Sequence, residues 1–171
     1  MKNNKLLIIT DLEGVNGVLN FDDWCTPEGR RNEIGCRFLT EEVNAVIQGF
    51  FEGGFAEIVV WDGHGSGGSI RGELLDTRVS LQRGTVNWPI FDTDYVAVAF
   101  VGQHAKAGAK CAHLAHTQTP EAIDFRLNGL SIGEYGQQAF AAAEAGVATI
   151  FVSGDTAMIR EAAELTLGAV G

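Results

Sequence analysis

Cysteines are few in this sequence, and no two of them are spaced as a metal-binding or redox pair. The 171 residues include three cysteines, Cys25, Cys36 and Cys111. An odd number without a CxxC pair argues against a disulfide framework, so we expect reduced thiols and a cytoplasmic location. Cys111 is close in sequence to two histidines, but no spacing rule supports a Cys/His nucleophile there.

Positive charge is also scarce. The chain has 12 lysines and arginines against 22 aspartates and glutamates, which gives a formal net charge of −10 at pH 7. No local basic patch offsets this charge, so binding to nucleic acid or to an anionic membrane surface is not expected. A peptide, another small molecule or a metal ion is a better candidate partner.

Long apolar runs and phosphate-binding glycine motifs are missing as well. A membrane helix needs about 20 apolar residues, and the N-terminal run 6–9 is too short even for a signal peptide. Neither GxGxxG nor a P-loop is present, so the glycines of 63–68 do not predict a phosphate site. With 46% hydrophobic and 20% charged residues, the chain is expected to form one globular domain.

Short apolar runs alternate along the chain with amphipathic or alanine-rich stretches. Runs rich in Val, Ile and Phe are typical of parallel strands covered on both faces, and they occupy residues 5–10, 56–61, 95–102 and 147–154. Three helices are predicted, over 32–54, 133–146 and 155–168. This order predicts a layered α/β domain with a largely parallel sheet. Residues 78–84 are a candidate short strand, and residues 87–94 a candidate loop.

Polar residues directly follow the predicted strands. Asp11 and Glu13 follow the first strand, Asp62 and His64 the second, and His104 the third. In open α/β sheets ligands bind beyond the carboxyl ends of the strands, where all these residues should lie. In both pairs the residues are two positions apart, so their side chains point to the same side of extended backbone.

Carboxylates and imidazoles converging from separate strands suit a divalent ion such as zinc, placed at the carboxyl ends of the strands. A catalytic zinc commonly uses three protein ligands, fewer than this set offers. Two ions bridged by a carboxylate would use them all.

Each of these residues also has a purely structural interpretation. Asp11 could cap a helix or turn, His64 could be a surface histidine, and His104 could be a core histidine bonded to backbone. Glu134, at the start of a predicted helix, is favourable to the helix dipole without any metal. Asp62 could orient His64 or cap a turn. It is their joint occurrence at strand ends that favours a metal site.

Six segments in order resemble the D-aminopeptidase family of dizinc metallopeptidases. They are TDLEG, LTEEVNAVIQGFFEGG, VVWDGHGSGG, FVGQHAKAG, AHT and IGEYGQQAFAAAEAGV. The resemblance spans nearly the whole chain. It implies a zinc-dependent aminopeptidase that removes N-terminal residues from short peptides, including peptides of D-amino acids, and that assembles as a homo-oligomer.

The resemblance also implies a role for individual residues. It places ligands for two zinc ions at Asp11, Glu13, His64, His104 and Glu134, with the Asp11 carboxylate as the bridge. It further implies that His116 is the family's catalytic histidine, acting as nucleophile or as proton donor. His113 does not match the motif and is interpreted as a neighbour.

The sequence departs from the family pattern near its end. The resemblance implies that family members continue past the position of Gly168 into a second, smaller domain. We expect that domain to be absent here, with the sequence either a fragment or a shortened relative. We therefore interpret residues 1–171 as the metal-binding catalytic domain. Two other functions stay open at this point: a dinuclear-metal hydrolase of another ester or a phosphate, and a non-catalytic, metal-stabilised oligomerisation module.

Overall fold

The structure, a computed structural model, describes residues 4–84 and 94–171, and its centre is a parallel β-sheet. Five strands form this sheet: β1 Lys5–Thr10, β2 Glu57–Asp62, β3 Ser80–Gln82, β4 Tyr95–Gln103 and β7 Ala148–Gly154. Their order across the sheet is β3-β2-β1-β4-β7. All four pairings between neighbours are parallel, which confirms the predicted sheet and the short strand within 78–84.

Four helices and one hairpin accompany the sheet in the described residues. The helices are α1 Phe21–Trp24, α2 Asn32–Glu52, α3 Glu134–Glu144 and α4 Thr156–Leu165. The last three confirm the predicted helices to within two or three residues at each end. Asp155 caps α4 by accepting hydrogen bonds from the backbone N–H groups of Ala157 and Met158. The short helix α1 and the hairpin of β5 Arg126–Leu127 and β6 Leu130–Ser131 were not predicted. The loop predicted at 87–94 lies outside the described residues except for Asp94.

Both faces of the sheet are buried at its central strands β1, β2 and β4, which is why these strands are continuous apolar runs. Along β1, Leu6 and Ile8 belong to the core cluster that includes α2, while Leu7 and Ile9 belong to the cluster that includes α3 and α4. All four side chains are fully buried. Alternate residues of a strand point to opposite faces, so β1 anchors both layers of helices.

The direction of the chain across the sheet changes beside β1. From β1 the chain moves outward through β2 to β3, and it then returns to the other side of β1 as β4. Thr10 pairs with Asp62 on one side and with Val101 on the other, so three strands end at the same edge. Ligands of open α/β sheets bind at such a switch point, beyond the carboxyl ends of the strands.

No described helix has the length and apolarity needed to cross a bilayer.

Candidate metal centre

The five residues predicted as ligands gather at this edge together with His116, which was predicted as the catalytic residue, and the six form two groups of three. Asp11, Glu13 and His64 form one group, and His104, His116 and Glu134 form the other. Within each group, one potential ligand atom of every residue lies within 4.8 Å of the others. The first group comes from the segments after β1 and β2, and the second from the segment after β4 and the start of α3.

Asp11 joins the two groups. Its Oδ2 lies 3.3 Å from Nε2 of His104, which is also 3.5 Å from Oε1 of Glu134. Its Oδ1 accepts a hydrogen bond of 2.9 Å from the backbone N–H of Leu12. In the first group, Oε1 of Glu13 lies 3.3 Å from Nε2 of His64. The side chains therefore form one continuous chain of carboxylates and imidazoles with Asp11 in its middle.

Gly14 allows the β1 and β4 segments to meet. Its backbone N–H donates to the carbonyl of Gly102 at 2.9 Å, which holds the loop after β1 against the end of β4. A Cβ atom at Gly14 would overlap the carbonyl oxygen of Gln103, so only glycine fits this contact. Glu13 directly precedes Gly14 and His104 directly follows Gln103, so this contact brings the two candidate ligands close together. The glycine of TDLEG thus contributes directly to the proximity of the two groups.

The three histidines of the two groups, His64, His104 and His116, all point Nε2 toward the carboxylates and bond through Nδ1 to another acceptor or hydroxyl group. Nδ1 of His104 donates to the carbonyl of Ala105 at 3.1 Å, and Nδ1 of His116 donates to the carbonyl of Leu114 at 2.8 Å. In each case Nε2 is left to face the carboxylates. Metal-binding histidines are usually held in this way, with the second ring nitrogen bonded to a backbone or side-chain acceptor.

His64 is held by Ser69 rather than by Asp62. Its Nδ1 lies 2.7 Å from the hydroxyl oxygen of Ser69, a residue that the sequence did not single out. The buried carboxylate of Asp62 accepts a hydrogen bond of 2.8 Å from the backbone N–H of Ile70, so it fixes the loop that carries both His64 and Ser69. Of the two roles considered for Asp62, the structure supports the loop role. Ser69 could not be found from the sequence because its contact depends on the loop's path.

His116 stacks on His104, with ring centroids 4.0 Å apart and planes inclined by 8°. Its Nε2 lies 3.6 Å from Oε1 of Glu134, about as close as His104 lies to the same atom. That position is compatible with a ligand as well as with a proton-transfer group. His113 is different, because its Nε2 donates to the carbonyl of Val18 at 2.9 Å. This bond agrees with the interpretation of His113 as a structural neighbour.

The buried charges shift one another's pKa values strongly. Burial opposes protonation of His64, but the hydrogen bond and charge of Glu13 outweigh it and raise the pKa of His64 to about 9. Burial likewise opposes protonation of His104, yet the charges of Asp11 and Glu134 raise its pKa to about 10.

The carboxyl groups shift in opposite directions. Burial, together with the charge of Glu13, raises the pKa of Asp11 well above its usual range. Burial also opposes ionisation of Glu13, but the hydrogen bond with His64 outweighs it, so the pKa of Glu13 is lowered. The pKa of Glu134 is lowered against burial by its hydrogen bond with His104. Charged side chains that are this close together and this deeply buried are stable only when opposite charges or a bound metal ion neutralise them.

The donor set fits divalent zinc. Two ligands at about 2.0–2.1 Å from a tetrahedral zinc lie about 3.3 Å apart. The nitrogen-to-oxygen separations from His64 to Glu13 and from His104 to Asp11 are both 3.3 Å. Oε2 of Glu13 is buried and has no hydrogen-bond partner within residues 4–84 and 94–171. A buried carboxylate oxygen without a partner is costly unless a cation lies beside it.

Comparisons with known proteins identify the family of this chain. The family model described as D-aminopeptidase matches residues 4–171. The D-aminopeptidase of Bacillus subtilis (strain 168) is 31% identical over 167 residues, which cover 94% of this chain and 60% of the relative. The solved structure of "Zn-dependent D-aminopeptidase DppA from Bacillus subtilis, a self-compartmentalizing protease" is similar with a TM-score of 0.90 at 29% identity, covering 96% of this chain and 61% of the other. The chain thus spans about three-fifths of the length of these relatives, and it belongs to the D-aminopeptidase family.

Proposed function

We propose that this chain is the metal-binding catalytic α/β domain of a zinc-dependent aminopeptidase that removes N-terminal residues from short peptides, including peptides of D-amino acids. The observation that carries the proposal is the pair of three-residue groups joined through Asp11. The relatives' names add the substrate class and the metal, since one is described as a Zn-dependent D-aminopeptidase.

We assign two zinc ions to the site. Asp11, Glu13 and His64 would hold one ion, and His104 and Glu134 the other, with Asp11 shared as the bridge. The support is that Asp11 is the residue that lies between the two groups. When bound, the ions would supply Lewis-acid polarisation of the scissile carbonyl and lower the pKa of a bound water.

The catalytic residue is His116. Its Nδ1 is occupied by the carbonyl of Leu114, so Nε2 is the nitrogen that can react or exchange a proton. Nε2 faces Oε1 of Glu134 at 3.6 Å, and that carboxylate is itself held by the backbone N–H of Gln118 at 2.8 Å. Nε2 acts either as the nucleophile or as the proton donor to the leaving amine.

A cavity beside the first group has the size for a short peptide. It measures about 440 Å³, and its lining includes Phe21, Asn32, His64 and Ser69. Small-molecule sites commonly occupy about 300–1,000 Å³. Among residues 4–84 and 94–171, none that lines this cavity carries a carboxylate or an ammonium group, which suits an uncharged side chain of the substrate.

Self-assembly and location are further parts of the proposal. The related structure is described as a self-compartmentalizing protease, and we propose a homo-oligomer here as well. The segment 123–131 supports it, because Ile123, Phe125, Leu127 and Leu130 are exposed while the charge of Arg126 is paired with Asp124. A neutral apolar surface lets copies of a chain with net charge −10 meet without strong repulsion.

Three free cysteines support a reducing, cytoplasmic location.

A phosphate-directed hydrolase is the weaker alternative. Phosphate sites commonly use lysine or arginine to clamp the substrate oxygens. Lys106, the lysine nearest in sequence to a candidate ligand, donates from Nζ to the carbonyl of Ser131 at 2.8 Å. That bond directs the ammonium group to the backbone of the β6 strand rather than to a substrate.

The proposal is tested with a panel of short L- and D-peptides and a phosphate-ester substrate, each assayed with zinc and with a chelator. We expect zinc-dependent release of the N-terminal amino acid and no turnover of the ester. Ester hydrolysis without peptide cleavage would support the phosphate alternative. Zinc binding without turnover of any substrate, in a chain that assembles, would support a non-catalytic module.

A further inference from the structure

A buried glutamate on α4 lies behind the second group of candidate ligands. Glu161 is 8% exposed, whereas the other buried residues of α4 are Ala157, Met158 and Ala162. Its Oε2 accepts a hydrogen bond of 2.9 Å from the backbone N–H of Lys106, and its Oε1 accepts one of 3.1 Å from the backbone N–H of Gly133. One carboxylate therefore binds two backbone segments that are distant in sequence.

Those two segments carry His104 and Glu134. Lys106 is two residues after His104, and Gly133 is directly before Glu134 at the start of α3. The segments are in close contact, since a Cβ atom at Gly133 would lie 2.9 Å from Cβ of Lys106. No side chain caps α3 within the helix's own N-terminal turn, so the bond from Gly133 to Glu161 satisfies a backbone group there.

We propose that Glu161 is a positioning residue of the metal centre: by bridging Lys106 and Gly133 it sets the separation between His104 and Glu134. This inference rests on the proposed zinc site. An apolar residue at 161 would pack with the other buried residues of α4 but would leave the buried N–H group of Gly133 and the partly buried N–H group of Lys106 unpaired. The carboxylate pairs both, and it acts on the ligands without touching the substrate or the metal.

The decisive variant is Glu161→Gln, which keeps the size of the side chain but has only one acceptor oxygen for the two N–H groups. Zinc affinities are measured by competition with a chromophoric chelator. We expect one of the two zinc sites to weaken by about 10 to 100-fold, the usual effect of losing a residue that orients a ligand, and the other site to be unchanged. The matched control is Glu164→Gln, an exposed glutamate of the same helix, which should bind zinc as the parent does.

A double-mutant cycle separates positioning from general stabilisation. In a Glu134→Ala background the second site has already lost a ligand, so Glu161→Gln should cause no further loss of zinc affinity. In a His64→Ala background its effect should persist. Equal weakening of both sites, or parent-like affinity at both, would overturn the inference. If Glu161→Gln fails to fold, Glu161→Asp, whose shorter side chain cannot reach both N–H groups, replaces it.

A metal-free measurement keeps this inference separable from the proposed function. In the parent without zinc, Nε2 of His104 lies 3.5 Å from Oε1 of Glu134, so the ring protons of His104 and the side-chain methylene protons of Glu134 should give a nuclear Overhauser effect. Glu161→Gln should weaken that signal and Glu164→Gln should not. If the parent binds fewer than two zinc ions, the proposed function fails, and this signal alone decides the role of Glu161; an unchanged signal in Glu161→Gln would contradict that role.

Discussion

His104 and His116 lie face to face, with their ring centroids 4.0 Å apart, and the same oxygen of Glu134 faces Nε2 of both rings. One carboxylate oxygen thus serves two imidazoles, one predicted as a ligand and the other as the catalytic group. Binding of zinc to His104 would displace the proton on Nε2 of that ring. The charge of the ion would then lie beside Nε2 of His116, the nitrogen that we propose reacts.

Replacing His116 by Ala should lower peptide turnover by about 10² to 10⁴-fold, the range typical of a lost acid or base. Steady-state kinetics on a good dipeptide measure this loss, and the zinc content of the same sample is determined by mass spectrometry. His113→Ala is the control and should change turnover little, because His113 donates to Val18. Loss of one zinc ion in His116→Ala would instead make His116 a ligand, since its Nε2 is as close to Glu134 as that of His104.

Asp11→Asn should remove more zinc than Ser69→Ala does. The Asp11 carboxylate lies between both groups, while Ser69 acts on a single ligand through Nδ1 of His64. We expect loss of both ions after dialysis in the first variant and about 10 to 100-fold weaker binding of one ion in the second. Equal zinc contents in the two dialysed proteins would mean that Asp11 is not the bridge.

Zinc affinity should rise steeply with pH between about 6.5 and 8.5. In the metal-free protein the pKa of His64 is raised to about 9 and that of His104 to about 10, so zinc must displace protons from both. Calorimetry in buffers of different ionisation enthalpy should show proton release on binding. An affinity that does not depend on pH over this range would contradict the raised values.

The same pKa shifts predict how the metal-free protein responds to pH. A histidine whose folded pKa exceeds its unfolded value of about 6.5 stabilises the fold fully below that value. This contribution is lost as the pH rises through about 9 for His64 and about 10 for His104. Thermal unfolding of the chelated protein should therefore show falling stability from pH 7 to 10. The zinc-loaded protein should lack this particular loss, because its histidines are already neutral.

Gly14→Ala should destabilise the fold by about 1–3 kcal/mol and weaken zinc binding at both sites, because its Cβ atom would overlap the carbonyl oxygen of Gln103. Gly49→Ala is the matched control. Gly49 lies within α2, and nothing lies within 4 Å of a Cβ atom built there. Alanine at 49 should raise the free energy of unfolding by about 0.5–1 kcal/mol and leave zinc binding unchanged. Chemical denaturation and chelator competition measure the two effects.

Phe125→Ser combined with Leu127→Ser should shift the protein toward smaller assemblies in light scattering. Both side chains are exposed on the hairpin segment, and serine removes the apolar area that copies of the chain would cover. The control is Leu167→Ser, an exposed leucine just beyond α4. The same assembly size in all three proteins would exclude this surface from the interface.

The strands could be predicted because burial on both faces makes each one a continuous apolar run, as in 5–10 and 95–102. The edge of the sheet then followed from the polar residues at the strand ends. The hairpin was not predictable, because strands of two residues are too short to show the alternation of apolar and polar residues that is typical of a strand. Helix α1 is similarly short, with four residues after its Asn20 cap.

The contacts around the candidate site were less accessible to sequence reasoning. Ser69 and Glu161 are ordinary residues in their own segments, and their roles arise only from the loop path and from the packing of α4. Asp62, in contrast, has a spacing that suggested contact with His64, yet it bonds to the backbone of Ile70. The spacing of two residues along the sequence indicates which face of a strand they share. The hydrogen-bond partner of each side chain depends on the tertiary structure around it.

The position of β1 between β2 and β4 also determines when the metal centre can form. The proposed ligands extend along the chain as far as Glu134. In addition, β1 can pair with β4 only after the chain from residue 95 onward is available. Contacts so distant in sequence form slowly because a long loop must close first. Zinc uptake during refolding should thus be a late event, and a zinc-sensitive signal would report the pairing of β1 with both β2 and β4 rather than the first pairing of strands.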